Sequence, residues 1–103
     1  MLQQRKESYV SGGHQNKASG ESSSVSGGKQ NTASEMESSI SGRSKNTAEG
    51  QHSSISGGGG NRAVGMSSSV SGGVYNIASG RYSSVLGGNR KTASDWQAVP
   101  PAI

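Results

Sequence analysis

The sequence repeats itself with a period of 15 residues, and this register constrains the fold more than any other feature. Six copies fill residues 8–97, and the unit reads Ser-Ser-Val-Ser-Gly-Gly-x-x-Asn-Thr-Ala-Ser-Gly-x-x. Three columns are identical in every copy: they begin at Ser8, Gly12 and Ala18. A flexible linker depends on bulk composition and not on phase. The invariant columns therefore favour a folded repeat over a disordered segment.

Composition alone would leave that choice open. The chain has 23 Ser and 17 Gly, together 40 of 103 residues, whereas Val, Ile, Leu and Phe together number 13. So few large apolar residues are typical of disorder when the net charge is high, but here the formal net charge is only +4. The composition fits either a Ser/Gly linker or a repeat protein that is stabilised by something other than a large core.

Several protein classes are excluded or disfavoured. No apolar run approaches the roughly 18 residues that span a bilayer, and residues 1–15 lack the apolar segment of a signal peptide, so we expect a soluble chain. There is no Cys, which excludes disulfides and thiolate metal sites. Gly does not recur at every third residue, which excludes collagen.

A 15-residue unit with paired Gly and no Pro suits one coil of a parallel β-solenoid with two short strands and two Gly turns. Strand one is Ser-Ser-Val-Ser and strand two is Asn-Thr-Ala-Ser. Because side chains alternate between faces, the first and third residues of each strand should point inward and stack on their equivalents about 4.8 Å away, giving a rod roughly 29 Å long. We expect like neighbours to satisfy the inward Asn and Ser side chains. The predicted apolar core columns are Val10, Val25, Ile40, Ile55, Val70 and Val85, with Ala18, Ala33, Ala48, Ala63, Ala78 and Ala93; the predicted polar ladder is Asn16, Asn31, Asn46, Asn61 and Asn76.

One branched aliphatic side chain per coil is a small core for 15 ordered residues, so we expect further burial through association. The outward columns of strand one are almost uniformly small, whereas those of strand two vary as water-exposed positions do. We therefore predict that strand one faces identical chains, with exposed Ser tolerated in water as the simpler alternative. The candidate trimer face is Ser24, Ser26, Ser39, Ser41, Ser54, Ser56, Ser69, Ser71, Ser84 and Leu86.

The string Ser-Ser-Val-Ser-Gly-Gly-x-x-Asn-Thr-Ala-Ser, clean at residues 23–34 and substituted at 68–80, resembles the head repeats of trimeric autotransporter adhesins, the YadA-like family. The resemblance covers residues 8–97. It implies a left-handed parallel β-roll of three chains on the outer surface of Gram-negative bacteria, anchored in the outer membrane through a segment not included here, which attaches to host cells or matrix proteins. The charge pattern described below adds polyanionic glycans as candidate partners. The family's commoner unit is one residue shorter and carries Ile near the column where this chain has Ser26, which implies a more polar trimer axis.

The two ends lie outside the regular repeat. Residues 1–7 have no repeat character, and residues 98–103 form a predicted tail that leads to a neck or stalk. Asp95-Trp96 resembles a segment that precedes the neck in such heads, and we interpret Trp96 as an apolar cap over the last coil, or alternatively as a surface aromatic. Pro100-Pro101 should stop strand pairing because Pro lacks the N–H that a ladder needs.

The residues that could form a catalytic set do not recur in the same columns of the repeat. His14 and His52 occupy different columns and Asp95 is the sole Asp, so no Ser–His–Asp set can be argued and we expect no enzyme. The run Gly57–Gly60 is not followed by Gly-Lys-Ser/Thr, which makes it a permissive corner rather than a phosphate loop. We predict no cofactor, and no Asp column exists that would bind calcium or another metal.

Charges are segregated around the coil. The predicted basic ridge is Lys17, Lys29, Arg43, Lys45, Arg62, Arg90 and Lys91, and the predicted acidic ridge on the opposite side is Glu21, Glu35, Glu37, Glu49 and Asp95. We expect the basic ridge to face a neighbour's acidic ridge in the trimer or to bind polyanions; solvated surface charge of little consequence is the alternative.

Three functions follow from these observations. We favour the surface adhesin head, which acts as a homotrimer without catalysis, without specific nucleic-acid binding and without itself spanning a membrane. A structural segment of a trimeric fibre, such as a phage tail-fibre shaft, would share the trimer but need a separate receptor-binding tip. An ice-binding solenoid is the third, although Tyr9 and Leu86 interrupt the flat Ser row that it would require.

Overall fold

The computed structural model describes residues 8–41 and 43–94 and the backbone of a final strand at Ala98–Val99. This part of the chain is all-β, with parallel strands stacked in about six coils as a β-solenoid. The strands are β1 (Tyr9–Val10), β2 (Lys17–Ala18), β3 (Ser24–Val25), β4 (Thr32–Ala33), β5 (Ser39–Ile40), β6 (Thr47–Ala48), β7 (Ser54–Ile55), β8 (Arg62–Ala63), β9 (Ser69–Val70), β10 (Ile77–Ala78), β11 (Ser84–Val85), β12 (Thr92–Ala93) and β13 (Ala98–Val99).

Alternate strands form two parallel sheets. The first sheet has the order β1-β3-β5-β7-β9-β11-β13, and the second contains the even-numbered strands from β2 to β12 in sequence order. Each strand pairs with the equivalent residues of the next coil, as Ser39 does with Ser54 and Thr47 with Arg62. The 15-residue period of the sequence is thus the hydrogen-bonding register of the fold.

The last step of the first sheet is shorter. Ser84 pairs with Ala98 and Val85 with Val99, a step of 14 residues where the others are 15. The first sheet therefore continues into residues that the repeat count places in the tail.

The strands have two residues each, fewer than the four that the sequence pattern predicts. The chain bends between them at left-handed positions, of which each of the first five coils has three. The first is the second Gly of the pair, as in Gly73 (φ 85°). The second lies two residues later, as in Tyr75 (φ 55°), and the third precedes the next coil, as in Tyr82 (φ 60°). Only the first is regularly Gly, so two of the three bends are absent from the Gly pattern.

A third ladder lies between the two sheets. Single parallel bridges join one residue of each coil to the next, in what we call the bridge column: His14, Lys29, Ser44, Gly59, Val74 and Asn89. Sequence patterns did not indicate this ladder, because its residues share no chemical character and its hydrogen bonds use the backbone alone.

In the apolar core, each sheet contributes one buried residue per coil, and these residues stack along the solenoid. Its buried apolar members are Val25, Ile40, Ile55, Val70 and Val85 from the first sheet and Ala33, Ala48, Ala63, Ala78 and Ala93 from the second. Ser23 and Asn31 and their equivalents in the middle coils are buried beside them. The first coil differs: Val10 is 45% exposed and Ala18 only half-buried. Val10 pairs with Val25 and so lies in the predicted column, but it is not buried, because its coil has a described neighbour on one side only.

Candidate functional site

The bend between the first sheet and the second is built around an Asn side chain. We call it the Asn corner; in the fourth coil it runs from Gly57 to Asn61. The Asn61 amide nitrogen donates to the carbonyls of Gly57 (3.0 Å) and Gly73 (2.9 Å), and its oxygen accepts from the backbone N–H of Asn76 (2.8 Å). One buried amide thus joins its own corner to the corner of the next coil.

The same bonding recurs along the described Asn column. Asn31 donates to Gly27 and Arg43 and accepts from Asn46, and Asn76 accepts from the backbone N–H of Lys91. The repeat pattern predicts that like neighbours satisfy these side chains. The structure instead gives the amide groups mainly backbone partners, which is how buried polar side chains usually bond.

The second Gly of each pair has no room for a side chain. A Cβ on Gly73 would lie 2.2 Å from the carbonyl oxygen of Gly88, whereas a Cβ on the adjacent Gly72 would meet nothing within 4 Å. Positive φ adds to this requirement at Gly73, since L-residues rarely adopt φ of 85°. The two glycines therefore have different roles, and only the second is needed by the packing.

Arg43 is the exception in this column. It takes the place of the second Gly in the third coil and keeps a φ of 90°. Side chains are strained in this region of the Ramachandran map, at a cost of about 1–3 kcal/mol. The chain thus retains a cation where the fold prefers Gly.

The return bend, which we call the Ser corner, is built more simply. In the second coil it runs from Glu35 to Ser38. The Ser38 hydroxyl donates to the Glu35 carbonyl (2.7 Å) and accepts from the Glu35 N–H (3.3 Å), while the Ser38 N–H closes a turn onto the same carbonyl (3.1 Å). Ser23 and Ser83 donate in the same way to Gly20 and Gly80. The hydroxyls of Ser23, Ser38 and Ser83 thus each stabilise one turn, whereas the buried Ser68 hydroxyl has no hydrogen-bond partner among the described residues.

The outward side of the first sheet carries the candidate trimer face, which we call the serine face. Its members on the strands are half-buried, and those that follow the strands are exposed. The half-buried set is Ser24, Ser39, Ser54, Ser69 and Ser84; the exposed set is Ser26, Ser41, Ser56, Ser71 and Leu86. From Ser24 to Ser84 this surface has no side chain longer than Ser, and it ends in Tyr9 at one end (61% exposed) and Leu86 at the other (51% exposed).

The structure divides the predicted basic ridge into three places. Lys29, Arg43, Lys45 and Arg90 lie at the Asn corner. Lys17 and Arg62 lie on strands of the second sheet. Lys91 occupies the Asn column, where its backbone N–H bonds to Asn76. The ridge is therefore not one stripe, because residues a few positions apart in a solenoid coil lie on different sides of it.

The acidic residues are not all opposite the basic ones either. Glu49 follows strand β6 and accepts from Arg62 of the next coil at 2.8 Å, so these two predicted ridges meet on the second sheet. Glu37 contacts His52 at 2.7 Å along the Ser corner. Both pairs are substantially exposed, and exposed ion pairs contribute little to stability.

The Asn corner differs in charge from the rest of the surface. The second-Gly column, the bridge column and the left-handed column that follows it contain no Asp or Glu in any coil. They contain four exposed cations, Lys29, Arg43, Lys45 and Arg90. We call this group the basic corner, and it carries +4 without an opposing charge in those three columns.

A depression interrupts the basic corner where the Gly57–Gly60 run lies. It has a volume of about 290 Å³ and is lined by Arg43, Ser44, Gly58, Gly59 and Val74. It is a depression because Gly59 places no side chain in the bridge column between Ser44 and Val74. The sequence predicts a permissive corner at this Gly run, and the structure adds that the run removes side chains from the centre of the basic corner.

Tyr75 lies beside this depression. A Cβ on Gly60 would lie 2.6 Å from the Tyr75 ring, so the ring packs on the bare backbone of Gly60. The guanidinium carbon of Arg90 is 5.6 Å from the ring centroid, within the range of a cation–π contact. Tyr75 remains 58% exposed. Sequence reasoning missed this residue because its column also holds Gln, Lys, Gly and Arg.

Some predicted features lie outside the described residues. Asp95 and the proposed cap Trp96 are among them, as are residues 1–7 and Pro100-Pro101. Within the described ranges, no group of three or more His, Cys, Asp or Glu side chains is placed to hold a metal ion. A search of the same residues finds no helix with the length and apolarity needed to cross a membrane.

Comparisons with known proteins do not assign the chain to a family. The chain matches no model of a known protein family, and no curated protein is significantly similar to it.

Proposed function

We propose that this chain is part of a trimeric adhesin head, a β-roll on a bacterial surface that attaches the cell to host cells or matrix. The observation that carries the proposal is the serine face, a row of small side chains along five coils of a regular parallel sheet. Small side chains let backbones approach closely. Ordinary exposed strands have no need to exclude every long side chain, as the varied second sheet illustrates with Lys17, Arg62 and Ile77.

The small core supports the same proposal. Each middle coil buries one Val or Ile and one Ala. This is little apolar surface for 15 ordered residues, and small cores usually need added burial from metals, disulfides or association. The sequence has no Cys, and the described residues have no metal cluster. Association of serine faces from three copies would supply the added burial.

In this proposal the head attaches through several linked copies of its surface and not through a catalytic reaction. A trimer presents each surface feature three times, and linked sites bind more tightly than single ones without any new contact. We place the head outside the cell, joined to the outer membrane by segments beyond this sequence, in line with the resemblance of its repeats to autotransporter heads.

The first experiment measures the oligomeric state. Light scattering after size exclusion should give three times the chain mass of 10.4 kDa. Ser54→Arg, on the central strand β7, should abolish the trimer because three copies would place three Arg charges together. Thr92→Arg is the matched control: its column on the second sheet already holds Lys17 and Arg62, so the trimer should persist.

A native chain that is folded by circular dichroism and monomeric at micromolar concentration would contradict the trimer, whatever the variants do. The function is tested separately, by binding of the trimer and of the Ser54→Arg variant to matrix-coated surfaces. A trimer that binds no matrix or cell surface would favour the fibre segment, and a folded monomer with thermal hysteresis would favour the ice-binding solenoid.

A further inference from the structure

We propose that the basic corner binds an acidic polysaccharide, with Tyr75 packing against a sugar ring and Lys29, Arg43, Lys45 and Arg90 pairing with its sulfate or carboxylate groups. This inference deepens the proposed adhesin function by naming the ligand class and the site. It rests on that function for its biological meaning, but the binding itself does not require the trimer.

The charge distribution is the first argument. Acids occur elsewhere on the solenoid, where Glu49 pairs with Arg62 and Glu37 with His52. None occurs in the three columns of the basic corner, so its four cations have no neutralising partner there. Clustered charge of one sign raises the local concentration of an oppositely charged polymer.

The cost of keeping Arg43 is the second argument. Five of the six coils have Gly in its column, and the φ of 90° is one that favours Gly. Arg43 also lines the depression beside Ser44 and Gly59. Strained residues that a fold retains are concentrated at functional sites, and here the strained residue supplies a cation to the lining of the depression.

The shape of the corner is the third argument. The Gly run opens the surface between Ser44 and Val74, and Tyr75 lies next to that opening with more than half of its surface exposed. An aromatic ring beside an open, polar depression offers one apolar contact surrounded by charge. A sugar ring with an acidic substituent has the same combination of an apolar face and a charged edge.

The number of aromatic side chains argues against single-stranded nucleic acid. Proteins that bind single strands stack successive bases on several aromatic side chains, but the basic corner has Tyr75 alone.

The test compares two pairs of substitutions that remove equal charge. Lys29→Ser with Lys45→Gln removes two of the four cations of the basic corner, using residues that the chain itself carries in the same columns at Ser44 and Gln30. Lys17→Thr with Arg62→Thr removes two cations from the second sheet, where Thr32 and Thr47 are the equivalents. The probe is a short heparin oligosaccharide in solution, at an ionic strength of about 0.15 M.

We expect the corner pair to weaken heparin binding on the order of tenfold, or about 1.4 kcal/mol, and to lower its salt dependence, because fewer counterions are released. The second-sheet pair should change the affinity less than twofold. Tyr75→Gln should weaken binding while leaving the salt dependence unchanged. A hyaluronan oligosaccharide, which carries carboxylates but no sulfate, distinguishes the two acidic groups.

Three results would overturn the inference. They are equal weakening by both pairs, no measurable heparin or hyaluronan binding by the native chain, and tighter binding of single-stranded DNA than of either glycan. Because the probe is short and in solution, the Ser54→Arg variant should bind it as the native chain does if it stays folded. A native chain that is monomeric but binds heparin would therefore refute the proposed assembly and leave this site intact.

Discussion

Each coil turns at two corners, and the side chains that stabilise the two turns differ. At the Asn corner a buried amide bonds to three backbone groups in two coils, as Asn61 does with Gly57, Gly73 and Asn76. At the Ser corner a hydroxyl bonds within one turn, as Ser38 does with Glu35. The Asn corner thus links successive coils through a buried amide, whereas the Glu37–His52 pair along the Ser corner is exposed, so damage at the Asn corner should spread further along the rod.

The largest effect should come from filling the Asn corner. Gly73→Ala places a Cβ 2.2 Å from the Gly88 carbonyl oxygen at a φ of 85°, so we expect a loss of about 3–5 kcal/mol in the free energy of unfolding. Gly72→Ala, with open space around its Cβ, should change it by less than about 1 kcal/mol. Thermal unfolding followed by circular dichroism at one chain concentration measures both. Similar losses in the two variants would show that the close contact with the Gly88 carbonyl is not the reason for Gly at position 73.

The direct comparison of the corners is Asn61→Ala against Ser38→Ala. The first leaves the Asn76 N–H and two carbonyls without the Asn61 amide, and we expect a loss of about 2–4 kcal/mol. The second leaves the Glu35 carbonyl its bond from the Ser38 N–H, so a loss of about 1 kcal/mol is expected. Both side chains are fully buried, which matches the pair for burial. A larger loss for Ser38→Ala in the same unfolding measurement would reverse the ranking of the corners.

The last predicted change stabilises the fold instead of weakening it. Arg43→Gly restores the residue that the other five coils carry and should stabilise the fold by about 1–2 kcal/mol, because it removes strain at a φ of 90°. The same change removes one cation of the basic corner and should weaken heparin binding. An increase in stability with unchanged heparin binding would separate Arg43 from the proposed ligand, and a decrease in stability would show that its side chain packs favourably.

The fold was largely predictable because its period is also its hydrogen-bonding register. Strand alternation alone places Val25 and Ala33 inside and Ser24 and Thr32 outside, as the structure has them. The bridge column was not predictable, since residues as different as Lys29, Gly59 and Val74 contribute only backbone groups. The left-handed bends at Tyr75 and Tyr82 were missed for a related reason, since turn prediction relies on Gly and neither residue is Gly.

The candidate site was predicted less well. The sequence identified the cations but grouped seven of them as one ridge, whereas Arg62 pairs with Glu49 on the second sheet and Lys91 lies in the Asn column. Linear spacing could not separate them, because the three bends change the outward direction within a few residues. The depression beside Gly59 depends on side chains from the third and fifth coils, Ser44 and Val74, which no local pattern brings together.

By itself, the sequence determined the period, the inward columns and the stacking of like on like, because a repeat of constant length can satisfy its backbone only by pairing each coil with the next. Tertiary structure alone decided which exposed side chains are neighbours. Arg43, Ser44 and Val74 line one depression and Arg90 lies over Tyr75 because stacking brings residues 15 positions apart to within one strand spacing. The surface of a solenoid is therefore read along the stack of coils, at right angles to the chain.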